Sequence, residues 1–231
     1  LKREAKVAFE EYKTKYPDKV IDKDTEFCMI GEVPNRGVVK DEYNELDVFD
    51  AMINFNFIDV SRQNVKDKYD ELEKVNTDNF SEVSYISSHD ISLYKTGDMD
   101  GGTFLLLAPG AIQILYGDET ARPYEWQDKF KWGAYQDLTT RSFMNWDDLK
   151  SETSLASKML EHWRKIADFR KNHISIAAGE QVGIKSKDYY TFGRFSVDDN
   201  YIDRVVCVIN ASGPIKLDVS TMFRDNVSLR E

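Results

Sequence analysis

Short apolar runs alternate with polar, helix-compatible stretches along the first two thirds of the chain. Four of these runs are predicted to be buried strands, at 26–32, 51–57, 83–87 and 111–116, and each one ends in polar residues. Helices are predicted at 1–16, 61–75, 101–107 and 155–171. Strands that are apolar throughout and finish in a polar cluster are typical of a parallel sheet in an α/β fold. The chemistry of such a fold is expected at the carboxyl ends of the strands.

The period of the pattern changes after the helix at 155–171, from helical to strand-like. Strands are predicted at 181–184, 189–195, 204–210 and 215–219, and Gly, Asp, Asn and Pro residues separate them as turns. This pattern predicts a small antiparallel, β-sandwich-like domain. The boundary between the two parts is expected near 172–175, which divides the chain into residues 1–173 and 174–231.

The net charge of the chain argues against nucleic acid as a partner. The 231 residues include 31 basic and 41 acidic side chains, giving a formal net charge of -10, and an acidic surface repels phosphate backbones. The longest apolar stretch, 103–117, is interrupted by Pro109 and Gly110 and is too short to cross a bilayer. No membrane partner is therefore expected. The first residues are charged and amphipathic, unlike a signal peptide, and the compartment stays unknown.

The two cysteines and three histidines give no metal signature. Cys28 and Cys207 each lie in an apolar run and are predicted to be buried, reduced thiols, and the sequence also allows a disulfide between them. His162 lies in the 155–171 helix, where a surface or packing role is expected, and His173 lies at its end, where a cation suits the helix dipole.

Two acidic residues lie where a parallel-sheet enzyme would place them. Glu32 ends the first predicted strand in MIGEV, and Asp90 follows the third in YISSHD. A carboxylate just after a strand is more often a helix cap or a turn residue. Cleavage of a glycosidic bond needs converging carboxylates, one to protonate the leaving oxygen and one to meet the developing positive charge. The pattern permits that chemistry and leaves the capping role open.

Four motifs, in order, make the chain similar to the α-amylase family, glycoside hydrolase family 13. MIGEV resembles the family's fifth-strand motif, and VSYISSHD resembles its seventh-strand motif, with Ser88 where Asn is usual. APGAIQILYGDE resembles the eighth-strand signature, and RSFMNWD resembles the Arg-x-Pro-Met-x-Trp stretch of many members, with Phe143 replacing Pro. The resemblance covers nearly the whole chain. It implies a partial (β/α)8 TIM barrel, strands five to eight of the family, within residues 1–173, and the family's C-terminal β domain at 174–231.

The resemblance also assigns roles by position. Glu32 matches the general acid/base, Asp90 the carboxylate that stabilises the transition state, and His89 the residue that binds the sugar in the cleavage subsite. The family's nucleophilic Asp ends the fourth strand in a Gly-x-Arg-x-Asp motif, which does not occur in this sequence. The resemblance therefore implies a fragment that begins just past the nucleophile and is inactive alone. The family's usual calcium-binding domain would also be absent, so no metal or cofactor is expected in this chain, and calcium would belong to a longer parent protein.

The parent protein is expected to hydrolyse α-1,4-linked glucan, as an oligosaccharide or as starch, with retention of configuration. The rival interpretation is a non-catalytic carbohydrate-binding or interaction module derived from the same family. Trp126, Trp132 and Trp146 either stack on sugars or pin a long loop to the barrel, and we favour the second interpretation. An open half-barrel leaves two apolar strand edges unpaired, so self-association is expected.

Overall fold

A computed structural model of the chain describes residues 1–20, 22, 24–77, 79–90, 93–94, 98–123, 140–198 and 201–230. The helices are α1 (Lys2–Lys15), α2 (Glu42–Glu45), α3 (Val65–Val75), α4 (Asp100–Leu106), α5 (Leu155–Asn172) and α6 (Ser175–Ala178). The strands are β1 (Ile30–Gly31), β2 (Ala51–Asn54), β3 (Ser81–Ser84), β4 (Ala111–Ile112), β5 (Glu180–Gly183), β6 (Thr191–Val197) and β7 (Ile202–Val208). Every helix in these ranges is too short or too polar to cross a membrane.

The first four strands form one parallel sheet in the order β1-β2-β3-β4. Ile30 pairs with Ala51, Ala51 with Ser81, and Val83 with Ala111, so all four strands run in the same direction and all their carboxyl ends lie at one edge of the sheet. The predicted α/β fold with a parallel sheet is confirmed. The polar residues that follow the strands are therefore brought to the same edge.

One face of this sheet packs against the helices and builds the core. Helix α3 contributes Tyr69 and Leu72, and α5 contributes Met159 and Trp163, to a cluster of buried side chains that also contains Phe104. The Tyr69 hydroxyl donates to the Phe104 carbonyl at 2.6 Å, so the only polar atom of this buried ring is satisfied. The helices therefore cover this face of the sheet and leave its carboxyl edge for the residues that follow the strands.

The last three strands form a separate antiparallel sheet in the order β5-β6-β7, as the change of period predicts. Arg194 on β6 joins this sheet to the end of α4, because its guanidinium donates to the Leu107 carbonyl at 2.7 Å and to the Ile176 carbonyl at 2.6 Å. The Arg194 side chain is fully buried and lies over the rings of Tyr69 and Phe192. The antiparallel sheet is therefore packed onto the helical layer of the first part.

Several sequence predictions are wrong in detail. The predicted strand at 215–219 is irregular backbone, so the described residues of this part form one sheet of three strands and not a sandwich-like pair. The parallel strands are shorter than the apolar runs, and 26–32 keeps only Ile30–Gly31 as strand. Helices α2 and α6 span only four residues each, too few for a periodic signal. Both cysteines are free, and Cys28 is exposed, whereas Cys207 is buried as predicted.

Candidate active site

Glu32 lies directly after β1, and its side chain is exposed at the carboxyl edge of the sheet. The loop that follows it is closed by Arg36, whose Nε donates to Asp41 Oδ2 at 2.8 Å and whose Nη2 donates to the Val39 carbonyl at 2.9 Å. Asp41 in turn caps α2 by accepting the Tyr43 N–H. The loop next to Glu32 is thus held by a charged side chain as well as by its backbone.

Arg36 also ties this loop to the middle of the sheet. Its Nη1 donates to Glu82 Oε1 at 2.7 Å, and the Glu82 side chain, on β3, is completely buried. Burial raises the pKa of Glu82, and the Arg36 guanidinium opposes that rise. The same guanidinium, by hydrogen bonding, holds the pKa of Asp41 below its usual range. This ion-pair network fixes the loop after Glu32 to the strand that leads to His89 and Asp90.

His89 and Asp90 lie in the turn beyond β3, and each side chain is about half exposed, 53% and 54%. The Ser88 hydroxyl accepts the Asp90 N–H at 3.0 Å, so the residue that departs from the family motif forms the turn itself. His89 Nε2 lies 3.1 Å from Asp90 Oδ1. The two side chains therefore stand together at the same edge of the sheet as Glu32.

Tyr85 relates Glu32 to Asp90. Burial raises the pKa of the Tyr85 phenol to about 12, and the negative charges of Glu32 and Asp90 both add to that rise. The two carboxylates follow different strands, β1 and β3, and both stand at the carboxyl edge of the parallel sheet.

Thr140 and Arg141 contact the turn that carries His89 and Asp90. Arg141 Nη2 donates to Asp90 Oδ1 at 2.9 Å, and the Thr140 hydroxyl donates to the His89 carbonyl at 2.5 Å. Sequence reasoning identifies Arg141 only as part of a motif, because the 51 residues that separate it from Asp90 hide the contact. These contacts set where both predicted site residues stand.

Asp118 lies behind the turn, in the loop after β4. Burial raises the pKa of its carboxyl to about 7, against an opposing hydrogen bond from Ser87, and its Oδ2 has no hydrogen-bond partner among the described residues. The Asp118 carboxyl lines a small cavity together with Trp163. Among the described residues, the Trp163 indole N–H also has no hydrogen-bond partner. Sequence reasoning identifies Asp118 only as part of the eighth-strand signature, and its burial is not visible in the sequence.

Exposed aromatic rings lie in the segment whose Arg141 contacts Asp90. Phe143 is 80% exposed and Trp146 is 67% exposed, so the prediction that the loop tryptophans pin the loop to the barrel is wrong for Trp146. Trp126 and Trp132 lie outside the described residues. Exposed aromatic rings offer flat, largely apolar surface to a ligand or partner.

The other two histidines, His162 and His173, form contacts that fit a structural role. His162 is partly buried and shares a 2.8 Å hydrogen bond with the Thr103 hydroxyl, and His173 Nδ1 lies 2.8 Å from Asp203 Oδ1. In the described ranges, no three histidine, cysteine or acidic side chains gather to hold a metal ion.

Comparison with known proteins identifies similar sequences and folds. The chain matches no family model. It is 37% identical over 211 residues to the periplasmic alpha-amylase of Escherichia coli K12, and the match covers 87% of this chain and 29% of that protein.

Solved structures share the fold. A trehalose-6-phosphate hydrolase mutant from Bacillus licheniformis superposes with a TM-score of 0.56 at 12% identity, covering 82% of this chain and 48% of that one. The trehalulose synthase MutB from Pseudomonas mesoacidophila MX-45 superposes with a TM-score of 0.52 at 12% identity, covering 87% and 50%. The chain thus spans less than a third of its curated relative and about half of these structures.

Proposed function

The chain is a homologue of the α-amylase family, glycoside hydrolase family 13, and on that premise we propose that it forms part of a retaining α-glucan hydrolase. Its four parallel strands would be strands five to eight of a (β/α)8 barrel. The observation that carries the proposal is the placement of Glu32 and Asp90 beyond two strands of one parallel sheet, at the same edge. The substrate class is α-1,4-linked glucan, as oligosaccharide or starch.

Glu32 would serve as the general acid/base. It would protonate the leaving glycosidic oxygen and then remove a proton from the attacking water. Glu32 is exposed in this chain, so a bound sugar can reach its carboxyl group.

Asp90 would stay ionised and stabilise the oxocarbenium-like transition state, and His89 would hydrogen-bond hydroxyls of the sugar. The Arg141 guanidinium donates to Asp90 Oδ1 at 2.9 Å and so orients this carboxyl group. Retention also needs a nucleophilic carboxylate about 5 Å from the general acid. We propose that this nucleophile belongs to a segment of the parent protein beyond these 231 residues.

The experiment that tests this function uses the 231-residue chain and a longer polypeptide that restores the first four strands. We expect the chain alone to give no turnover of starch or nitrophenyl maltoside. The longer polypeptide should hydrolyse both, and Glu32→Gln should reduce that activity by roughly a hundred-fold or more. Turnover by the chain alone that disappears in Glu32→Gln would contradict the proposal that the chain lacks the nucleophile. Full activity of Glu32→Gln in the longer polypeptide would contradict the assignment of Glu32 as the general acid/base.

A second candidate function is carbohydrate binding without catalysis, which the exposed rings of Phe143 and Trp146 favour. Titration calorimetry with maltoheptaose separates the two functions. Binding that is lost in Phe143→Ala or Trp146→Ala, together with an inactive longer polypeptide, would favour the binding module. Binding together with Glu32-dependent hydrolysis favours the enzyme.

A further inference from the structure

A buried arginine connects the loop after β4 to the segment that holds His89 and Asp90. We propose that Arg122 is a positioning residue for these two side chains, acting through Thr140 and Arg141. The importance of His89 and Asp90 rests on the proposed function, whereas the mechanical link from Arg122 to them rests on contacts alone.

The first step is the fixing of Arg122 in its own loop. Its side chain is 3% exposed, and its guanidinium lies 4.1 Å from the centre of the Tyr116 ring. Its Nε donates to the Tyr116 carbonyl at 3.0 Å, and its backbone N–H donates to the Gly117 carbonyl at 2.9 Å. Gly117 has a φ of 91°, a left-handed value that a side chain would strain, and a Cβ there would come within 2.5 Å of Arg122. The loop is therefore shaped around this arginine.

The second step reaches across to residues 140–142. Arg122 Nη2 donates to the Thr140 carbonyl at 3.1 Å, and Nη1 donates to the Ser142 carbonyl at 2.9 Å. These two carbonyls flank Arg141 in the chain. The planar guanidinium thus fixes the backbone on both sides of Arg141 at once.

The third step passes from this segment to the candidate site. The Thr140 hydroxyl donates to the His89 carbonyl at 2.5 Å, and Arg141 Nη2 donates to Asp90 Oδ1 at 2.9 Å. A backbone held on both sides of Arg141 therefore presents one donor to His89 and another to Asp90. No contact in this path joins Arg122 directly to either residue.

Lysine cannot replace arginine in this role. The guanidinium offers five N–H donors in a rigid plane, and in this loop it reaches the carbonyls of Tyr116, Thr140 and Ser142 together. A lysine ammonium is a compact charge on a flexible stem and lacks that fork. Arg122→Lys keeps the charge and much of the volume while it removes the geometry, so it isolates the positioning effect.

A matched control is available in Arg170. This partly buried arginine also donates to three carbonyls, those of Leu106, Ala108 and Gly110. It lies on α5, at the amino-end side of the sheet, and none of these carbonyls belongs to the site. Arg170→Lys should therefore perturb stability by a similar mechanism without moving His89.

The test is the imidazole NMR spectrum of the full chain, whose three histidines are His89, His162 and His173. Loss of each Cε1–H signal in the corresponding His→Gln variant assigns it. We expect Arg122→Lys to shift or broaden the His89 signal and to leave His162 unmoved, whereas Arg170→Lys leaves His89 unmoved. An unmoved His89 signal in folded Arg122→Lys would overturn the proposal, and so would an equal movement of His89 in Arg170→Lys.

Two further variants keep the proposal testable if Arg122→Lys does not fold. Thr140→Val removes the hydroxyl that bonds the His89 carbonyl, and Thr140→Ser keeps it. The His89 signal should move in the valine variant and return in the serine variant, and failure of that rescue would overturn the link. A separate titration with maltoheptaose should show a dissociation constant about tenfold higher for Arg122→Lys. If the longer polypeptide shows no Glu32-dependent hydrolysis, the proposed function fails while the histidine spectra still decide the positioning link.

Discussion

Arg36 Nη1 donates to Glu82 Oε1 at 2.7 Å, and both side chains of this ion pair are buried. The Arg36 side chain is 5% exposed and the Glu82 side chain is 0% exposed. Removal of one partner of a buried ion pair leaves an uncompensated charge, which costs about 3–5 kcal/mol. We therefore expect Arg36→Met to lower the free energy of unfolding by about that amount in urea titrations.

The double variant Arg36→Met with Glu82→Leu supplies the control for this pair. It removes both charges and leaves apolar side chains of similar size, so it should recover much of the lost stability. A double variant that is less stable than Arg36→Met would show that the single change acts through packing and not through the charge of Glu82.

Asp118 should make the chain less stable as the pH rises from about 4 to about 7. Burial raises the pKa of its carboxyl to about 7 in the folded chain, whereas the unfolded value is about 3.9. The folded state therefore binds the extra proton across this window, and its stability falls as the pH increases through it. Asp118→Asn removes this titration. At pH 8 its free energy of unfolding, measured by urea titration, should exceed that of the unaltered chain by roughly 2–4 kcal/mol.

The difference between Asp118→Asn and the unaltered chain should shrink below pH 4, where both are uncharged at this position. Asp225→Asn, at an exposed site, serves as the control and should leave the pH dependence unchanged. An Asp118→Asn chain whose stability runs parallel to that of the unaltered chain from pH 4 to pH 8 would contradict the burial of an ionisable Asp118.

Arg194 should couple the antiparallel sheet to the rest of the chain. Its buried guanidinium joins β6 to the carbonyls of Leu107 and Ile176, and Arg194→Met leaves both carbonyls without their donor. We expect a loss of roughly 3 kcal/mol or more in the free energy of unfolding. Arg204→Met, an exposed change on the adjacent strand β7, should have little effect.

Hydrogen exchange measured by mass spectrometry tests the coupling itself. Amides of β6 and of α4 should exchange at the same denaturant concentration in the unaltered chain, since one buried side chain joins them. Exchange of β6 well before α4 in the unaltered chain would show that the two parts unfold independently.

The order of elements and the direction of the parallel sheet follow from sequence because they depend on local pattern. The runs that contain Ile53 and Val83 are mostly apolar without a strict alternation, and such strands need cover on both faces. Strand lengths do not follow, because hydrogen-bond pairing ends where neighbouring strands diverge, as at Ile30–Gly31. The 215–219 run alternates like a strand but finds no neighbour in the described sheet.

The candidate site was predictable only where single residues mark strand ends. Glu32, His89 and Asp90 lie in short motifs that the sequence displays directly. Arg36 and Arg122 were missed because their partners lie 46 and 18–20 residues away, and no periodic signal connects residues that meet through a loop. The charges that hold the site are therefore a property of the folded chain and not of any motif.

The open edges of the parallel sheet should cause the chain to self-associate. Strands β1 and β4 each have one strand neighbour in the described structure, and Ile30 on β1 is 54% exposed, with Ile114 beyond β4 at 45%. Ile30, Ala51 and Ser81 are paired in register and therefore lie on the same face of the sheet. Met52 lies on the opposite face, which packs against the helices. An apolar edge with unpaired backbone groups favours pairing with another chain.

We expect size exclusion with light scattering to show a mass that rises with protein concentration above that of the 26.8 kDa chain. Ile30→Lys should shift the distribution toward monomer, because a charged residue on an edge strand opposes pairing. Leu229→Lys changes a residue of similar exposure, 58%, that belongs to no strand of the sheet, and should leave the association unchanged. A monomer at every concentration, with no binding of a hydrophobic dye, would show that the sheet edges are covered within the chain. Equal effects of the two lysine variants would place the association elsewhere on the surface.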